Sequence, residues 1–302
     1  MSNDLNVVVS IIIVNYNTIN VLLGAICSIY RQVTELKFEI IVVDNNSKDN
    51  SLVILKEKYP DVIYVPLSEN IGFGRANNKG VEVARGRNIF FLNPDTILIN
   101  NAVKILSDFL DQNEGVGTVG AQLYNIDNTL QKSFHMRYHG YIDVMKSLFS
   151  IIKPQAKIKQ FCEPKEVAAV CGAAMMISSK VIDVVGCFNP LFFMYAEETE
   201  LCYRIKKKGY KIICLPDAKI MHLDGGSFEF KEERAKRRIE GKITFYRIVY
   251  SSVKVRILLK MLLMTTCIKT YMFKLLRNTE KAQQWKTFHT LYKQQELIHF
   301  HR

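Results

Sequence analysis

Polar side chains with metal-binding and hydrogen-bonding capacity end the apolar run at residues 88–92, where the sequence continues as Asn93, Pro94 and Asp95. Pro94 has no N–H to continue a strand ladder, so we expect the chain to leave the sheet there. Ligands of open α/β sheets lie outside the carboxyl ends of the strands, which makes Asp95 a candidate binding residue. Alternatively, Asp95 caps the helix predicted by the apolar spacing of residues 103–109.

Two earlier apolar runs end in the same way. Residues 7–14 lead into Asn15, Tyr16 and Asn17, and residues 39–43 lead into Asp44, Asn45 and Asn46. Short polar side chains at one sheet edge can bind a base and a ribose, and a carboxylate beside a diphosphate usually needs a divalent cation. Together, the three strand ends predict a nucleotide pocket.

A glycine-rich loop, NIGFGRANNKG, occupies residues 70–80. It lacks the glycine order of a dinucleotide-binding turn, and the sequence has no Walker motif. Glycines that form a tight turn, with Asn77 and Asn78 as caps, would account for most such loops. They would not account for Arg75, which we expect to approach a diphosphate.

Three carboxylates, Glu197, Glu198 and Glu200, lie within a segment otherwise rich in aromatic and aliphatic residues. Burying them would be costly unless some of them face a ligand or a cation. A solvated acidic first turn of a helix is the alternative, because the helix dipole favours acids there.

A histidine, His222, follows an apolar pair and precedes Gly225, Gly226 and Ser227. A lone histidine is usually an ordinary strand-end residue. A glycine turn, however, can also present backbone N–H groups to an anion.

Strand and helix patterns alternate through the first half of the chain. Strands are predicted at 7–14, 39–44, 62–65 and 88–92, and helices at 21–30, 49–59 and 73–85. This alternation predicts an α/β fold with a mostly parallel, doubly wound sheet. Further on, we expect strands at 118–124, 130–135, 167–177 and 211–216, and no regular structure over 136–166.

Charge divides the 302-residue chain into two predicted domains, 1–230 and 231–302. The second part holds 17 of the 41 Lys and Arg but 5 of the 29 Asp and Glu, which leaves 24 of each sign in the first. Its longest uncharged run, 261–268, is too short to span a bilayer, so the pattern predicts a basic amphipathic helical extension that binds an anionic membrane surface. Packing against the main domain or dimerisation is the alternative. Apolar content makes nucleic acid a poorer partner.

The start of the chain has no basic residue before Arg31, unlike a secretory signal. The seven cysteines show no paired spacing, which suits free thiols in a reducing compartment. We therefore expect a cytoplasmic protein, peripheral at the inner face of the plasma membrane.

Four segments, VSIIIVNYN, IIVVDNNSKDNS, NIGFGRANNKG and FFLNPDT, resemble the amino-terminal half of family 2 glycosyltransferases, and are most like their bacterial rhamnosyltransferase-like branch. The segment FFMYAEETELCYR is similar to the family's FFMY-x-E-D-x-D-L-C-x-R signature, with Glu198 and Glu200 in place of Asp. The resemblance covers about residues 7–227. It implies a GT-A fold and a metal-dependent, inverting enzyme that transfers a sugar from a nucleotide-diphosphate donor.

The family motifs imply a role for each matching residue. Glu198, with Glu197 beside it, is the catalytic base, and Asp95 and His222 hold Mg2+ or Mn2+. The nucleotide-sugar site comprises Asn15, Tyr16, Asn17, Asp44, Asn46, Asn70, Gly72, Arg75, Asn77, Asn93 and Asp95.

A hydroxyl of a bacterial cell-surface glycan or a lipid-linked glycan is the expected acceptor, and rhamnose from a thymidine diphosphate donor is the first expectation for the sugar. Uridine diphosphate hexoses and a homodimer remain open. The two Glu replacements leave one alternative, a catalytically weakened or non-enzymatic protein that binds nucleotide-sugars or glycans on the same fold. A nucleotidyltransferase is disfavoured, because the first strand lacks a glycine- and lysine-rich phosphate signature.

Overall fold

The computed structural model describes residues 7–149, 160–223 and 231–300. The chain forms two compact units. The first contains the described residues of Met1–Arg137, Ile158–Phe193 and Glu197–Phe228, and the second contains those of Tyr138–Lys157, Met194–Ala196 and Glu229–Arg302.

The strands all belong to the first unit. They are β1 Val9–Asn15, β2 Phe38–Asp44, β3 Ile63–Pro66, β4 Asn88–Leu92, β5 Thr96–Leu98, β6 Val116–Tyr124, β7 Phe134–His135, β8 Lys165–Glu166, β9 Ala169–Val170, β10 Ala174–Ser178 and β11 Lys211–His222.

Helices occur in both units. They are α1 Ile19–Gln32, α2 Ser51–Lys58, α3 Phe73–Val81, α4 Ala102–Gln112, α5 Tyr141–Phe149, α6 Ser179–Val185, α7 Glu197–Lys207, α8 Lys231–Val249, α9 Ser252–Leu275 and α10 Thr279–Phe300. Of these, α5, α8, α9 and α10 belong to the second unit.

The main sheet has the strand order β3-β2-β1-β4-β10-β6-β11-β5. Neighbours from β3 to β4 are parallel, as are β6 and β11, whereas β10 runs antiparallel to both of its neighbours. The predicted α/β class with a mostly parallel sheet is confirmed. The register pairs Asn15 with Asp44, so two of the predicted polar strand ends lie side by side.

Strand β1 is central because it is apolar on both faces, and every one of its residues is buried. Helix α1 covers one face with Leu22, Ile26 and Ile29, which recur at helical spacing and are fully buried. Each such side chain contributes about 1.5–3 kcal/mol when it is transferred from water. This packing fixes the carboxyl end of β1, where the candidate site begins.

Several predicted elements differ from the structure. Residues 130–135 do not form one strand opposite 118–124: Leu130 makes an isolated bridge to Tyr124, and β7 pairs with β9. The predicted strand 167–177 is interrupted between β9 and β10, where a turn includes Gly172. The stretch 136–166 contains α5 and β8. The differences in the strands share a cause, because pairing with distant strands is not encoded in local periodicity.

Strand β11 is longer than predicted and continues through Pro216. A register irregularity between Leu215 and Lys219 lets the strand accommodate the proline while it remains paired with β6. As a result, β11 extends to His222. The predicted glycine turn at 225–227 lies outside the described residues.

In the second unit, α9 packs against α10 and α5. The predicted basic helix beginning at residue 231 extends to Val249, and the next helix begins at Ser252. None of the helices in the described part of the chain combines the length and apolar character that crossing a bilayer requires.

Candidate active site

A hydrogen-bonded cluster joins the carboxyl ends of β1 and β2. The buried Asn15 Nδ2 donates to Asp44 Oδ1 at 2.8 Å and to Ser47 Oγ at 3.0 Å. Thr18 Oγ1 donates to Asn15 Oδ1 at 2.7 Å, and Ser47 N donates to Asp44 Oδ2 at 3.1 Å. Both oxygens of Asp44 and the amide of Asn15 are thereby held in fixed directions.

The turns after these strands require unusual backbone conformations. Asn17 and Asn46 have positive φ values of 56° and 66°, which asparagine tolerates better than most residues. Asn17 accepts from Lys48 N through Oδ1 at 2.7 Å, and Asn46 accepts from Lys48 Nζ at 2.8 Å. Tyr16 is 44% exposed, so its ring can contact a ligand at this edge.

A second amide cluster connects β2 to the glycine-rich loop. Asn45 Nδ2 donates to Asn70 Oδ1 at 2.9 Å, and Ile71 N donates to Asn45 Oδ1 at 2.9 Å. Asn70 Oδ1 also accepts from Gly72 N at 3.0 Å. Asn70 and Gly72 therefore lie beside the strand-end cluster.

Glycine is required at position 72. Its φ is 89°, and a Cβ there would collide with the carbonyl oxygen of Phe193, which accepts from Phe73 N at 2.8 Å. The start of α3 thus lies directly against the segment that leads into α7.

The remaining candidates of this loop lie within α3 and do not cap it. Asn77 is buried and donates to Phe73 O at 3.0 Å. Asn78 donates to Phe188 O at 2.8 Å and accepts from Phe188 N at 3.0 Å. Arg75 is exposed, and its Nε donates to Pro190 O at 2.7 Å. The structure directs that part of the guanidinium toward the chain before α7.

Asp95 lies in the turn between β4 and β5, beside His222 at the end of β11. Asp95 does not cap the next helix, because α4 is capped by Asn101, whose side chain accepts from Lys104 N. His222 Nε2 is 3.4 Å from Asp95 Oδ1 and 3.3 Å from Asn93 Nδ2. Three residues predicted for the site, Asn93, Asp95 and His222, therefore lie together.

The second nitrogen of His222 indicates how the pair would bind a cation. His222 Nδ1 is 2.9 Å from Gln131 Oε1, an acceptor, so this contact places the ring proton on Nδ1. Nε2 then presents a lone pair toward a carboxylate oxygen. Metal-binding histidines are typically oriented in this way, with the other ring N–H donated to a neighbouring acceptor.

A carboxylate and an imidazole supply two ligands to a divalent cation. Among the described residues no group of three or more His, Cys, Asp and Glu is close enough to hold a metal ion. Mg2+ and similar ions commonly take one or two protein ligands and complete their shell with substrate phosphates and water. Asp95 and His222 fit that kind of site.

The acids at the start of α7 have different surroundings. Glu197 is buried, and its Oε2 has no hydrogen-bond partner among the described residues. Burial, reinforced by the charge of Glu198, raises the pKa of Glu197 well above its usual range. Burial also raises the pKa of Glu198, whose Oε1 accepts from Thr199 Oγ1 at 3.1 Å. Both carboxyls favour the protonated form more than an ordinary glutamate does.

Glu200 is an ion-pair partner. Its side chain is buried and accepts from Arg204 Nε at 2.9 Å, one helical turn away. Arg204 also donates to the carbonyl groups of Val185, Gly186 and Cys187. The third acid of the cluster therefore anchors α7 to the end of α6.

The surroundings of Glu198 connect it to the strand that precedes Asp95. A Cβ on Gly172 would lie 3.3 Å from Glu198 Cβ, and the next residue, Ala173, accepts from Asn93 N through its carbonyl at 2.9 Å. Asn93 in turn contacts His222. Glu198 and the Asp95–His222 pair are therefore joined through one turn, 172–173, and one residue, Asn93.

Three residues that organise the site received no individual role from sequence reasoning: Asn45, which was named only as part of a polar strand end, and Ser47 and Gln131, which were not identified. Asn45 and Ser47 stand inside the polar run after β2, where an assignment of their hydrogen-bond partners could have identified them. Gln131 gave no signal, because its role depends on the approach of His222 from a strand 91 residues away.

Comparison with known proteins places these motifs in one family. The model of the family described as Glycosyl transferase family 2 matches residues 10–186. A Mycobacterium tuberculosis protein named N-acetylglucosaminyl-diphospho-decaprenol L-rhamnosyltransferase is 23% identical over 63% of this chain and 67% of its own length. The Shigella flexneri dTDP-rhamnosyl transferase RfbF is 25% identical over 64% of this chain and 63% of its own.

Other similar proteins are longer than the matched region. The uncharacterized protein y4gI of Sinorhizobium fredii is 28% identical to this chain. The match covers 77% of this chain but 26% of that protein. A crystal structure of GalNAc-T7 with UDP, GalNAc and Mn2+ superimposes with a TM-score of 0.56 and 17% identity, covering 81% of this chain and 50% of that one. This likeness confirms the GT-A type of fold. The matched family model spans more than half of the sequence and includes β1, β2 and the Asp95 strand end, so this chain belongs to glycosyl transferase family 2.

Proposed function

We propose that this protein is an inverting glycosyltransferase that moves a sugar from a nucleotide-diphosphate donor to a hydroxyl of a bacterial glycan or lipid-linked acceptor. The single observation that supports the proposal is a structural connection between two places in the chain. One is Glu198 at the start of α7, and the other is Asp95 with His222 at the strand ends. The names of two relatives refer to rhamnosyl transfer, which makes rhamnose the first sugar to test.

Glu198 is the proposed base. Glu197 is buried to 4% exposure, whereas Glu198 is only partly buried and borders Gly172, where no side chain separates it from the turn. The carboxylate of Glu198 takes the proton of the acceptor hydroxyl as that oxygen attacks the anomeric carbon. The bond between this carbon and the diphosphate oxygen breaks on the opposite side, so the configuration inverts.

Asp95 and His222 would hold Mg2+ or Mn2+ against the donor diphosphate. A bound divalent cation would stabilise the charge that develops on the departing diphosphate. Gln131 holds the imidazole through Nδ1, so that the ring orientation is fixed before a donor arrives, and a cation on Nε2 would replace the contact of that nitrogen with Asn93 Nδ2.

The strand-end cluster is the proposed nucleoside site. Asp44 and Asn15 are fixed by hydrogen bonds to each other, and Tyr16, Asn17 and Asn46 lie on the turns next to them. Polar groups that are already oriented lose little freedom when a ligand binds, which favours affinity. Arg75, Asn70, Gly72 and Asn77 complete the proposed donor site from the glycine-rich loop.

The role of the base can be tested with Glu198→Gln. We expect kcat to fall by about 10²- to 10⁴-fold, because only the proton acceptor is removed. The dissociation constant of the donor, measured by titration calorimetry, should stay nearly unchanged. Glu57→Gln, an exposed change on α2, is the matched control and should leave both quantities as they are. Equal loss of donor binding and turnover in the Glu198 variant would assign Glu198 to donor binding instead.

The role of the metal pair can be tested with Asp95→Asn. Donor affinity should fall by about tenfold or more in the presence of Mn2+, since a charged ligand is lost, and should change little in EDTA. Calorimetric titrations with and without Mn2+ measure both values. Donor binding of equal strength with and without Mn2+ in the wild-type chain would remove the metal from the proposal.

We also propose that α9 holds the protein at an anionic membrane surface. Its exposed apolar residues fall on one helical stripe, and the sequence has no Asp or Glu between Glu240 and Glu280, while it has several Lys and Arg there. Each basic residue near an anionic surface adds about 1 kcal/mol. The residues of the stripe are Val253, Ile257, Met264, Ile268, Tyr271 and Leu275.

Vesicle sedimentation tests this surface. A chain with Met264→Gln and Ile268→Gln should bind vesicles that contain phosphatidylglycerol about tenfold more weakly than wild type, because about two apolar side chains no longer enter the interface. Val53→Gln with Val184→Gln, two similarly exposed positions, is the matched control. Unchanged vesicle binding in the Met264 and Ile268 variant would exclude this stripe.

A further inference from the structure

The second unit contains a cavity of about 500 Å³ that none of the roles above uses. Four helices, α5, α8, α9 and α10, contribute to its wall. Its size falls within the range of sites for small molecules, about 300–1,000 Å³. The wall residues therefore decide what class of molecule could bind.

One side of the cavity is basic. Helix α8 contributes Arg234, Arg238 and Lys242, which are spaced by four residues and so share one helix face. Lys242 Nζ donates to Tyr292 Oη at 3.4 Å, and the Arg238 guanidinium lies 5.1 Å from the centre of the Tyr195 ring. Asp143 is the acid in the described wall, and its Oδ2 accepts from Gly140 N at 3.0 Å. Cations therefore outnumber carboxylates in the wall.

A further cation lies behind the wall. Lys269 is buried, its Nζ is 4.0 Å from the centre of the Trp285 ring, and it donates to Ser147 Oγ at 3.1 Å. Trp285 and Ser147 both line the cavity. Among the described residues no carboxylate lies within ion-pair distance of Lys269, and burial lowers its pKa. An anion in the cavity would offset part of this unfavourable positive charge.

Helix α9 adds two threonine side chains to the wall of the cavity. This helix buries Thr265 and Thr266 at the cavity, next to the buried Leu262, which also lines it. Thr266 Oγ1 donates to carbonyl groups of its own helix.

Another part of the cavity wall is aromatic. Helix α10 contributes Trp285, Phe288 and Tyr292, which lie on one face. Arginine binds phosphate oxygens through two parallel N–H groups, and an aromatic wall suits a flat or apolar group attached to the phosphate. We propose that this cavity binds a phosphate- or diphosphate-bearing ligand, with Arg234, Arg238 and Lys242 on the phosphate and Trp285 and Phe288 on the attached group.

The first experiment is a calorimetric titration of the full chain with inorganic pyrophosphate. A variant with Arg238→Gln and Lys242→Gln should bind at least about tenfold more weakly than wild type, because two charge-assisted contacts are lost. The matched control, Lys286→Gln with Lys293→Gln, removes the same charge from exposed positions of α10 and should bind as wild type does. Equal affinity in the cavity variant, or no binding to the wild-type chain, would overturn the proposal.

Two further variants keep the result interpretable. Arg238→Gln alone changes an exposed side chain, so the fold should tolerate it, and it should still weaken pyrophosphate binding. Asp95→Asn should leave pyrophosphate binding at the cavity unchanged. The cavity proposal can thus fail while the glycosyltransferase proposal stands, and the reverse also holds.

Competition with lipid vesicles tells whether the phosphate belongs to a lipid headgroup or to a free phosphate compound. If the ligand is a lipid headgroup, phosphatidylcholine vesicles that contain phosphatidic acid will weaken pyrophosphate binding to the wild-type chain, and pure phosphatidylcholine vesicles will not. If the ligand is a free phosphate compound, neither kind of vesicle will compete. Competition that persists in the variant with Arg238→Gln and Lys242→Gln would place the competing site elsewhere and overturn the assignment.

Discussion

Asp44 and Glu197 are both carboxylates with 4% exposure in the first unit, yet their surroundings are opposite. Asp44 accepts hydrogen bonds on both oxygens, from Asn15 Nδ2 and from Ser47 N. Glu197 has one oxygen without a hydrogen-bond partner among the described residues, and its pKa is raised by burial and by Glu198. Although the two side chains are equally buried, both oxygens of Asp44 accept hydrogen bonds, whereas one oxygen of Glu197 accepts none from the described residues.

The contrast between the two carboxylates indicates what each site can do. A carboxylate whose acceptor positions are filled is fixed in direction, which suits recognition of a ligand. Poorly satisfied acids with raised pKa values are instead common where proton transfer takes place. The comparison thus separates a binding region at the ends of β1 and β2 from a reactive region at the start of α7.

The larger change in the free energy of unfolding is expected when Asp44 is replaced. Asp44→Ala would remove the acceptor for Asn15 Nδ2 and Ser47 N, and leaving buried donors unpaired costs about 1–3 kcal/mol. We expect the free energy of unfolding to fall by about 2 kcal/mol in urea denaturation.

Asp61→Ala, at an exposed position, is the control and should change the free energy of unfolding by no more than about 0.5 kcal/mol. An Asp44 variant as stable as this control would show that the cluster is not held by the carboxylate. The contrast with Glu197 would then be lost.

A smaller change in the free energy of unfolding, of the opposite sign, is expected when Glu197 is replaced. Glu197→Gln keeps the shape of the side chain and removes the buried ionisable group. We expect this variant to be more stable than wild type above neutral pH, because the folded wild type must then hold a charged carboxylate in a buried site beside Glu198. Destabilisation by Glu197→Gln would contradict the comparison.

The same variant shows a pH dependence of known sign. A raised pKa means that folded Glu197 holds its proton more tightly than the unfolded chain does, so the wild type loses stability as pH rises above the unfolded pKa of about 4.3. The stability difference between Glu197→Gln and wild type should therefore grow as pH rises and vanish in acid. Unfolding curves at a series of pH values measure this difference.

Much of the first unit could be predicted from local patterns. The runs that became β1, β2 and β4 are apolar, short and ended by Asn or Asp, so their burial and their direction toward a common edge follow from the sequence. The antiparallel insertion of β10 between β4 and β6 could not be predicted, because it depends on pairing between residues far apart in the chain. Nor was the interruption at Gly172 evident in the apolar run 167–177.

The candidate site was predictable to the extent that its residues follow strands. Asn15, Asp44, Asn93 and Asp95 were identified because their position after an apolar run shows which edge they occupy. The different surroundings of the Glu197 and Glu200 side chains could not be predicted, since both residues are acids in the first turn of one helix. The partner of Glu200 is Arg204, four residues on, whereas the surroundings of Glu197 include Gly74 of α3.

The paired hydrogen bonds between Asn78 and Phe188 have a mechanical consequence. The side-chain amide of Asn78 donates a hydrogen bond to Phe188 O and accepts one from Phe188 N, as the backbone of a neighbouring strand would. Because of this pairing, a rotation of α3 would move the Phe188 segment with it. The ring of Phe188 packs edge-on against Phe91 of β4, and Phe188 also lies against Gly74 of α3, so the motion would reach the strand that ends beside the proposed cation ligands.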